Sequence, residues 1–371
     1  MLSREENEIL TRVGPGTPGG EMLRRYWWPV GFSQEVDAKD RPRRIQLLGE
    51  DLVLFRDGSG KLGVLHIGCM HRGTSLEFGR VEDRGIRCCY HGWLYDTEGR
   101  CLEQPAEPDG STFRNRITQP AYKAEELGGL IFAYLGPEPA PLLPRYDLLV
   151  REDGGRVVGA GEEHCNWLQR AENSVDQSHL VALHASVYPQ FALKKPRLDW
   201  QKTWYGIRIE TQIDTTKSPK ISHWLFPAHT RHTTARKGEK PDHALRFRVP
   251  TNDQKTTTYW VKFYPQEPCG LETKGLRVRE PGVFTRIDDG WWGIESHEQD
   301  RVAQESQGPI YDRSKEHLGS SDRGIIMLRE MIHQAMEDVN LGKDPVGVMR
   351  DSHRNEIVEF DARMEEMDAL A

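Results

Sequence analysis

The chain has 371 residues, 37% of them hydrophobic and 29% charged, with a formal net charge of −7 at pH 7. That length exceeds the usual single core, so two domains are expected, and the mildly acidic balance offers no basic stripe for nucleic acid or an anionic membrane surface. No apolar run reaches membrane-spanning length, Met1–Glu6 lacks the apolar stretch of a signal peptide, and six cysteines in so long a chain make no disulfide framework; together these predict a cytoplasmic protein with reduced thiols.

Residues 3–13 are charged, with apolar Ile9, Leu10 and Val13, and predict a short amphipathic helix that Gly14-Pro15-Gly16-Thr17-Pro18-Gly19-Gly20 breaks. Residues 1–43 are therefore assigned as an N-terminal helical arm. Short strand-like runs separated by Gly and Asp turns follow, such as Ile45-Gln46-Leu47-Leu48 and Leu52-Val53-Leu54-Phe55 before Asp57-Gly58. They predict an all-β domain over 44–143, ending at four prolines between 137 and 144. The remainder, 144–371, mixes types. A helix is expected over 164–184, alternating strands within 201–264 and a long helix over 322–341. Strands bracketed by helices predict an α+β domain, its sheet packed on one helical face.

The β domain holds two mixed ligand pairs, Cys69-Met70-His71 and, sixteen residues later, Cys88-Cys89-Tyr90-His91. A zinc finger usually groups two cysteines and then two histidines. Pairs that each mix thiolate and imidazole suit a cluster whose two irons take different donors. In the second half Asn166-Trp167-Leu168-Gln169 leads into Glu172-Asn173, Asp176, His179 and His184. Asn173, Asp176 and His179 fall on one stripe of a helix, whereas His179 and His184 lie about 140° apart around it. The two histidines chelate one ion only if the helix ends or bulges between them. Two histidines and a carboxylate with open positions make the facial triad of non-haem iron(II) oxygenases. Spacing alone does not pick the carboxylate: Asp300, Glu295 and Glu298 are all available.

The first pair of motifs, Cys-x-His and Cys-x-x-His-Gly-Trp, resembles the Rieske cluster-binding signature. The block from Asn166 to His184 resembles the catalytic motif of Rieske non-haem iron oxygenases. Leu10–Pro18, Arg24–Trp27, Glu298–Arg301, Gln304–Ile310 and Asp312–Ser314 resemble the oxygenase (alpha) component of the phthalate dioxygenase-like type, so the resemblance covers nearly the whole chain. It implies an N-terminal Rieske domain followed by a helix-grip (START-like) α+β catalytic domain. It implies a [2Fe-2S] cluster on Cys69, His71, Cys88 and His91, with Cys89 out of register. It implies a mononuclear Fe(II) on His179, His184 and Asp300, with Asp176 and Asn173 as the catalytic residues beside it. In the family the residue matching Asp176 joins an iron-ligand histidine to the Rieske histidine of the next subunit. The resemblance thus implies a homotrimer in which Asp176 touches His179 and the His91 of a neighbour. The implied partners are a small aromatic substrate, O2 and a separate NAD(P)H-dependent reductase, with or without a ferredoxin domain. The competing reading is a Rieske electron carrier without oxygenase activity. Met70 stands where many relatives carry proline.

Arg208, Arg246, Arg248 and Lys262 are candidates to hold a substrate carboxylate. Arg246 and Arg248 alternate with Leu245, Phe247 and Val249, however, so a solvated sheet face is the expectation for them. His229, Arg231, His232, Arg236 and Lys237 are expected in an exposed basic loop, a candidate dock for an acidic reductase.

Overall fold

The computed structural model of the chain describes residues 2–37, 41–186, 192–216, 218–234, 241–284, 294 and 298–362. The expected first helix is α1 (Arg4–Thr11). Ser3 caps it, accepting from the Glu6 amide while the Glu6 carboxylate accepts from the Ser3 amide. The Gly-Pro run does more than break this helix. Thr17 caps a second one, α2 (Pro18–Leu23), whose proline occupies the first turn, where a missing N–H is harmless.

The chain then enters β1 (Trp27–Phe32), which pairs with β10 (Leu130–Tyr134) at one edge of a six-stranded antiparallel sheet. Beyond β10 lie β9 (Ala121–Leu127), β4 (Leu62–His66), β3 (Glu50–Arg56) and β2 (Arg43–Leu47). A smaller sheet of β5 (Arg80–Glu82), β6 (Gly85–Arg87), β7 (Leu94–Tyr95) and β8 (Cys101–Glu103) stands beside it. The second half is built on an eight-stranded sheet among the described residues. Its order is β12 (Arg197–Thr203), β13 (Gly206–Gln212), β14 (Lys220–Leu225), β15 (His229–Thr234), β16 (Asp242–Asn252), β17 (Lys255–Pro265), β11 (Gly154–Glu163) and β18 (Leu271–Arg277). The helices of this half are α3 (Asp147–Val150), α4 (Trp167–Val175), α5 (Gln299–Glu305) and α6 (Arg323–Asn340).

Both faces of the large sheet are covered. On one face Phe247 meets Phe132 at 5.5 Å between ring centroids, Tyr259 meets Phe32 at 5.5 Å, and His229 meets Trp28 at 5.1 Å. That face therefore packs on the N-terminal domain. On the other face lie α4 and α6. Trp200 Nε1 donates to the Val175 carbonyl at 2.9 Å, closing the end of α4. Helix α6 comes so near that a Cβ at Gly324 would stand 2.4 Å from Trp200 Nε1 and 2.6 Å from the Val175 oxygen, so only glycine fits. The long helix held against the sheet is the helix-grip arrangement.

Two polar features lie deep in this packing. Glu172 of α4 accepts from Arg313 Nε and Nη2, each at 2.8 Å, and from Arg329 Nε at 2.8 Å. Arg313 also donates to Asn7 of α1, and Arg329 pairs with Glu316, so one carboxylate ties α4 to α1 and α6. Burial alone would push the Glu172 carboxyl up, but the two guanidiniums outweigh it and hold the group ionised. Removing the charge leaves two buried guanidiniums short of a partner. We expect Glu172→Gln to lose about 3 kcal/mol of unfolding free energy in a urea titration.

The histidines behave in the opposite way. Burial pushes His229 down to about 3 and His223 down to about 4. Unfolded, both titrate near their usual value of about 6.5, so below that pH the unfolded chain binds more protons than the folded one. Stability is therefore complete above about pH 6.5 and is lost as pH falls toward about 4. A His229→Phe variant, which keeps a ring between Trp28 and Phe247, should melt like the wild type near pH 8 and show a shallower fall in Tm on acidification. An equally steep fall would place the acid sensitivity elsewhere.

Candidate functional site

The two mixed ligand pairs sit at the tips of the loops joining β4 to β5 and β6 to β7, and the loops are copies of one turn. In the first, Gly73 N donates to Cys69 O at 2.8 Å and Cys69 N to Thr74 O at 2.9 Å. In the second, Gly92 N donates to Cys88 O at 3.1 Å and Cys88 N to Trp93 O at 2.9 Å. Both turns need a glycine four residues after the cysteine, because φ there is +75° at Gly73 and +73° at Gly92. That repeated Cys-x-x-x-Gly spacing is visible in the sequence and is a signal the motif reading passed over.

The loops bring the four expected residues together. Cys69 and Cys88 are 2% and 3% exposed and unbridged, and the His71 and His91 rings lie 4.5 Å apart. Cys89 points outward, consistent with its being out of register. His71 stacks on Trp93 at 4.3 Å and 8°, and its buried Nδ1 has no hydrogen-bond partner. The Tyr95 hydroxyl lies 3.2 Å from Cys69 Sγ. Two buried thiols and an imidazole nitrogen without a partner are a donor set that fits a cluster of two irons.

Gln119, fully buried, staples the first loop. Its Nε2 donates to His66 O at 2.7 Å and Gly68 O at 3.0 Å, and its Oε1 accepts from Met70 N at 2.9 Å. A proline at position 70 has no N–H to give, so Met70 supplies a hydrogen bond that proline cannot make.

In the second half, the single helix expected over 164–184 is not formed. Asn166 caps α4, and the helix stops at Val175 because Asp176 leaves helical geometry at φ −82°, ψ 105°. Its carboxylate accepts from Ser178 N at 2.8 Å, a local bond that competes with continuing the helix. A short 3₁₀ turn, Ser178–Val181, follows. The break turns both histidines to one side, their rings 5.2 Å apart.

Asp300, in the first turn of α5, meets them there. His179 Nε2 lies 3.5 Å and His184 Nε2 3.3 Å from Asp300 Oδ1, and the three donor atoms all lie within 4.8 Å of one another. Burial pushes the Asp300 carboxyl up, yet His184, His179 and Arg170 together hold it well below the usual carboxylate range. Asn173 Nδ2 donates to Asp300 Oδ1 at 3.2 Å. Asp176 Oδ2 stands 3.7 Å from His179 Nδ1. Of the other carboxylates considered, Glu298 is buried against Arg301 and Arg279, and Glu295 lies outside the described residues. Two imidazoles and one carboxylate converging in this way fit a single divalent iron. Gln299, which lies in the Glu298–Arg301 segment but was given no role there, also touches His184: its Oε1 is 2.8 Å from His184 Nδ1.

The basic residues are not where alternation placed them. Arg246 and Arg248 do not form a solvated face; they point to the α4 side of the sheet, and Arg248 is 6% exposed. The apolar residues between them are buried as well, against the N-terminal domain. Arg246 donates to His232, and Arg248 Nη1 to Thr230 Oγ1 at 3.2 Å, while Arg248 Nε is buried without a partner. Arg208 faces the opposite side and is held by Glu210 and Asp361; Lys262 is held by Asp242. The expected basic loop is corrected too. His229, Arg231 and His232 are buried in β15, with Arg231 gripped by Asp147 at 2.9 Å, so they form no docking patch. Arg236 and Lys237 lie outside the described residues.

No helix among the described residues is long and apolar enough to cross a membrane. Residues 26–120 match the Rieske [2Fe-2S] domain family, and residues 278–368 match the family described as LigXa C-terminal domain like. The chain is 37% identical to the 5,5'-dehydrodivanillate O-demethylase oxygenase subunit of Sphingobium sp. (strain NBRC 103272 / SYK-6), over 100% of this chain and 90% of that one. It is 38% identical to the phenoxybenzoate dioxygenase subunit alpha of Ectopseudomonas oleovorans, over 91% of this chain and 87% of that one. Among solved structures, NdmA of Pseudomonas putida CBB5 is similar with a TM-score of 0.68 at 21% identity, covering 86% of this chain and 93% of that one, a likeness of fold.

Proposed function

Because the chain belongs to the Rieske non-haem iron oxygenases, as an oxygenase component of the phthalate dioxygenase-like type, we propose that Cys69, His71, Cys88 and His91 hold its [2Fe-2S] cluster and that His179, His184 and Asp300 hold its mononuclear iron. The observation that carries this reading is the convergence of His179 Nε2 and His184 Nε2 on Asp300 Oδ1. The domains are taken as 44–143 for the cluster and 144–371 for the iron, with 1–43 as an arm that lends β1 to the first.

The cluster supplies single electrons, and the iron supplies the activation of dioxygen. The chain's own residues do the rest. Asn173 fixes the Asp300 carboxylate by its amide bond. The Asp176 carboxylate faces His179 Nδ1 at 3.7 Å, and its negative charge favours the proton on that nitrogen, leaving Nε2 free to donate. By the family pattern Asp176 also reaches His91 of an adjacent copy, so the working unit is a head-to-tail ring, a homotrimer, closed by a heterologous interface. A separate NAD(P)H-dependent reductase feeds the cluster, in the cytoplasm.

The substrate we propose is a carboxylated aromatic, attacked on the ring or at an ether-linked substituent. What supports it is Arg248, a guanidinium that is always charged, buried toward the site, and hydrogen-bonded to a hydroxyl where a carboxylate would be expected. A substrate carboxylate between Arg246 and Arg248 would complete the pair, and the iron-facing side would present the opposite end of the ring.

Anaerobically purified protein should hold about three irons and two acid-labile sulfides per chain and give a Rieske-type paramagnetic signal after dithionite reduction. His179→Ala should keep the signal and lose one iron. Wild-type protein that stays at two irons after ferrous ion is added would sink the oxygenase reading and leave an electron carrier.

Arg248→Leu should weaken binding of methoxylated or phenoxylated benzoates by roughly tenfold to a hundredfold, the worth of a charged hydrogen bond, with metal content unchanged. Equal weakening of the matching benzamides would show that the carboxylate is not what Arg248 recognises.

A further inference from the structure

Gln299 immediately precedes Asp300 at the start of α5 and is 2% exposed. Each of its side-chain atoms is committed. Nε2 lies 3.1 Å from the Ile294 carbonyl oxygen and 2.7 Å from Ser186 Oγ, and Oε1 lies 2.8 Å from His184 Nδ1. A backbone carbonyl only accepts, so the nitrogen of the amide must face Ile294. The amide oxygen therefore faces His184. An amide oxygen also only accepts, so His184 Nδ1 must carry the ring proton. That leaves the lone pair on Nε2, the atom that stands 3.3 Å from Asp300 Oδ1.

We propose that Gln299 is the positioning residue that sets the tautomer and ring orientation of His184, so that Nε2 is presented as a metal donor before any metal arrives. The inference rests on the iron assignment above and adds to it an asymmetry between the two imidazoles. His184 is oriented by a neutral amide already in hydrogen-bond contact. His179 faces the Asp176 carboxylate at 3.7 Å, beyond a direct hydrogen bond. An amide at 299 orients its imidazole without adding another negative charge to a pocket that already holds Asp300 and Asp176, and it can reach the Ile294 carbonyl, which a carboxylate would repel. Because Gln299 and Asp300 are consecutive residues of one helix, a single element delivers the carboxylate and sets the second imidazole.

The test compares ferrous-ion dissociation constants, by chelator competition on protein stripped of mononuclear iron with its cluster intact, for the wild type, Gln299→Leu and Gln299→Glu. Gln299→Leu removes the acceptor and should bind ferrous ion about tenfold to a hundredfold more weakly. It should also change the visible spectrum of the cobalt(II)-loaded site, while the Rieske signal and Tm stay as in the wild type. Gln299→Glu keeps an acceptor for His184 Nδ1 and should restore most of the affinity. Leucine binding as tightly as glutamine with an unchanged cobalt spectrum would overturn the proposal. So would glutamate as weak as leucine, which would place the effect in the contacts to Ser186 and Ile294. Should leucine fail to fold, the glutamate variant decides alone: wild-type-like affinity and cobalt spectrum support the proposal, and a loss of tenfold or more overturns it. A wild type that binds no ferrous ion at all is a different failure, that of the iron assignment itself.

Discussion

The clamp on Glu172 underlies the geometry of the second half. A carboxylate buried between Arg313 and Arg329 persists only while both guanidiniums stay in place, and those come from the segment after α5 and from α6. Helix α4 is therefore tied at once to α6, to the chain near residue 313 and, through Asn7, to the N-terminal arm. Asn173, one residue further along α4, inherits that rigidity and hands it to Asp300. The end of α4 at Asp176 then throws His179 and His184 toward the same carboxylate. A helix continuing through His184 would leave the two imidazoles about 140° apart.

The N-terminal domain reaches the same end by a different device. Two short loops are each closed by a glycine in left-handed conformation and a pair of backbone bonds, and each leaves a cysteine buried at its base with a histidine near its tip. The difference in spacing, Cys-x-His against Cys-x-x-His, is accommodated inside a turn of constant length. Gln119 then fastens the first loop to the neighbouring strand, using an amide hydrogen at position 70. Rigid support beneath exposed tips suits a group that must meet a partner at its surface while keeping its metal ligands fixed.

Charge is arranged with equal economy on the large sheet. Its two faces carry residues of alternating type, yet along the central strands β14 to β16 both are largely buried, one against the N-terminal domain and the other against α4 and α6. Arg246 and Arg248 therefore stand on the α4 side within electrostatic reach of Asp300, while Arg208, three strands away on the opposite face, is neutralised by Glu210 and Asp361. His229, against Trp28 of the N-terminal domain, and His223, against Tyr205 and Phe360, stay neutral by burial, which makes both packings sensitive to acid.

Much of this was legible in the residues alone. The mixed Cys/His pairs, the histidines five apart and the strands bracketed by helices in the second half are all local patterns, and local patterns survive reading one position at a time. Asp300 was reachable by resemblance, but distance in the sequence hid its meeting with His179 and His184. What only the tertiary structure decided is which partner each buried polar group finds. Alternation along β16 marks two environments and cannot say that neither is water. Glu172 and Gln299 lie inside the motif blocks and Gln119 outside them, yet none shows its partner in the sequence, because a hydrogen bond to a residue about 50 to 140 positions away leaves no period there. The backbone dictates its own turns and strands through steric rules; the pairing of side chains across the core is fixed only when the elements close upon one another and water is excluded.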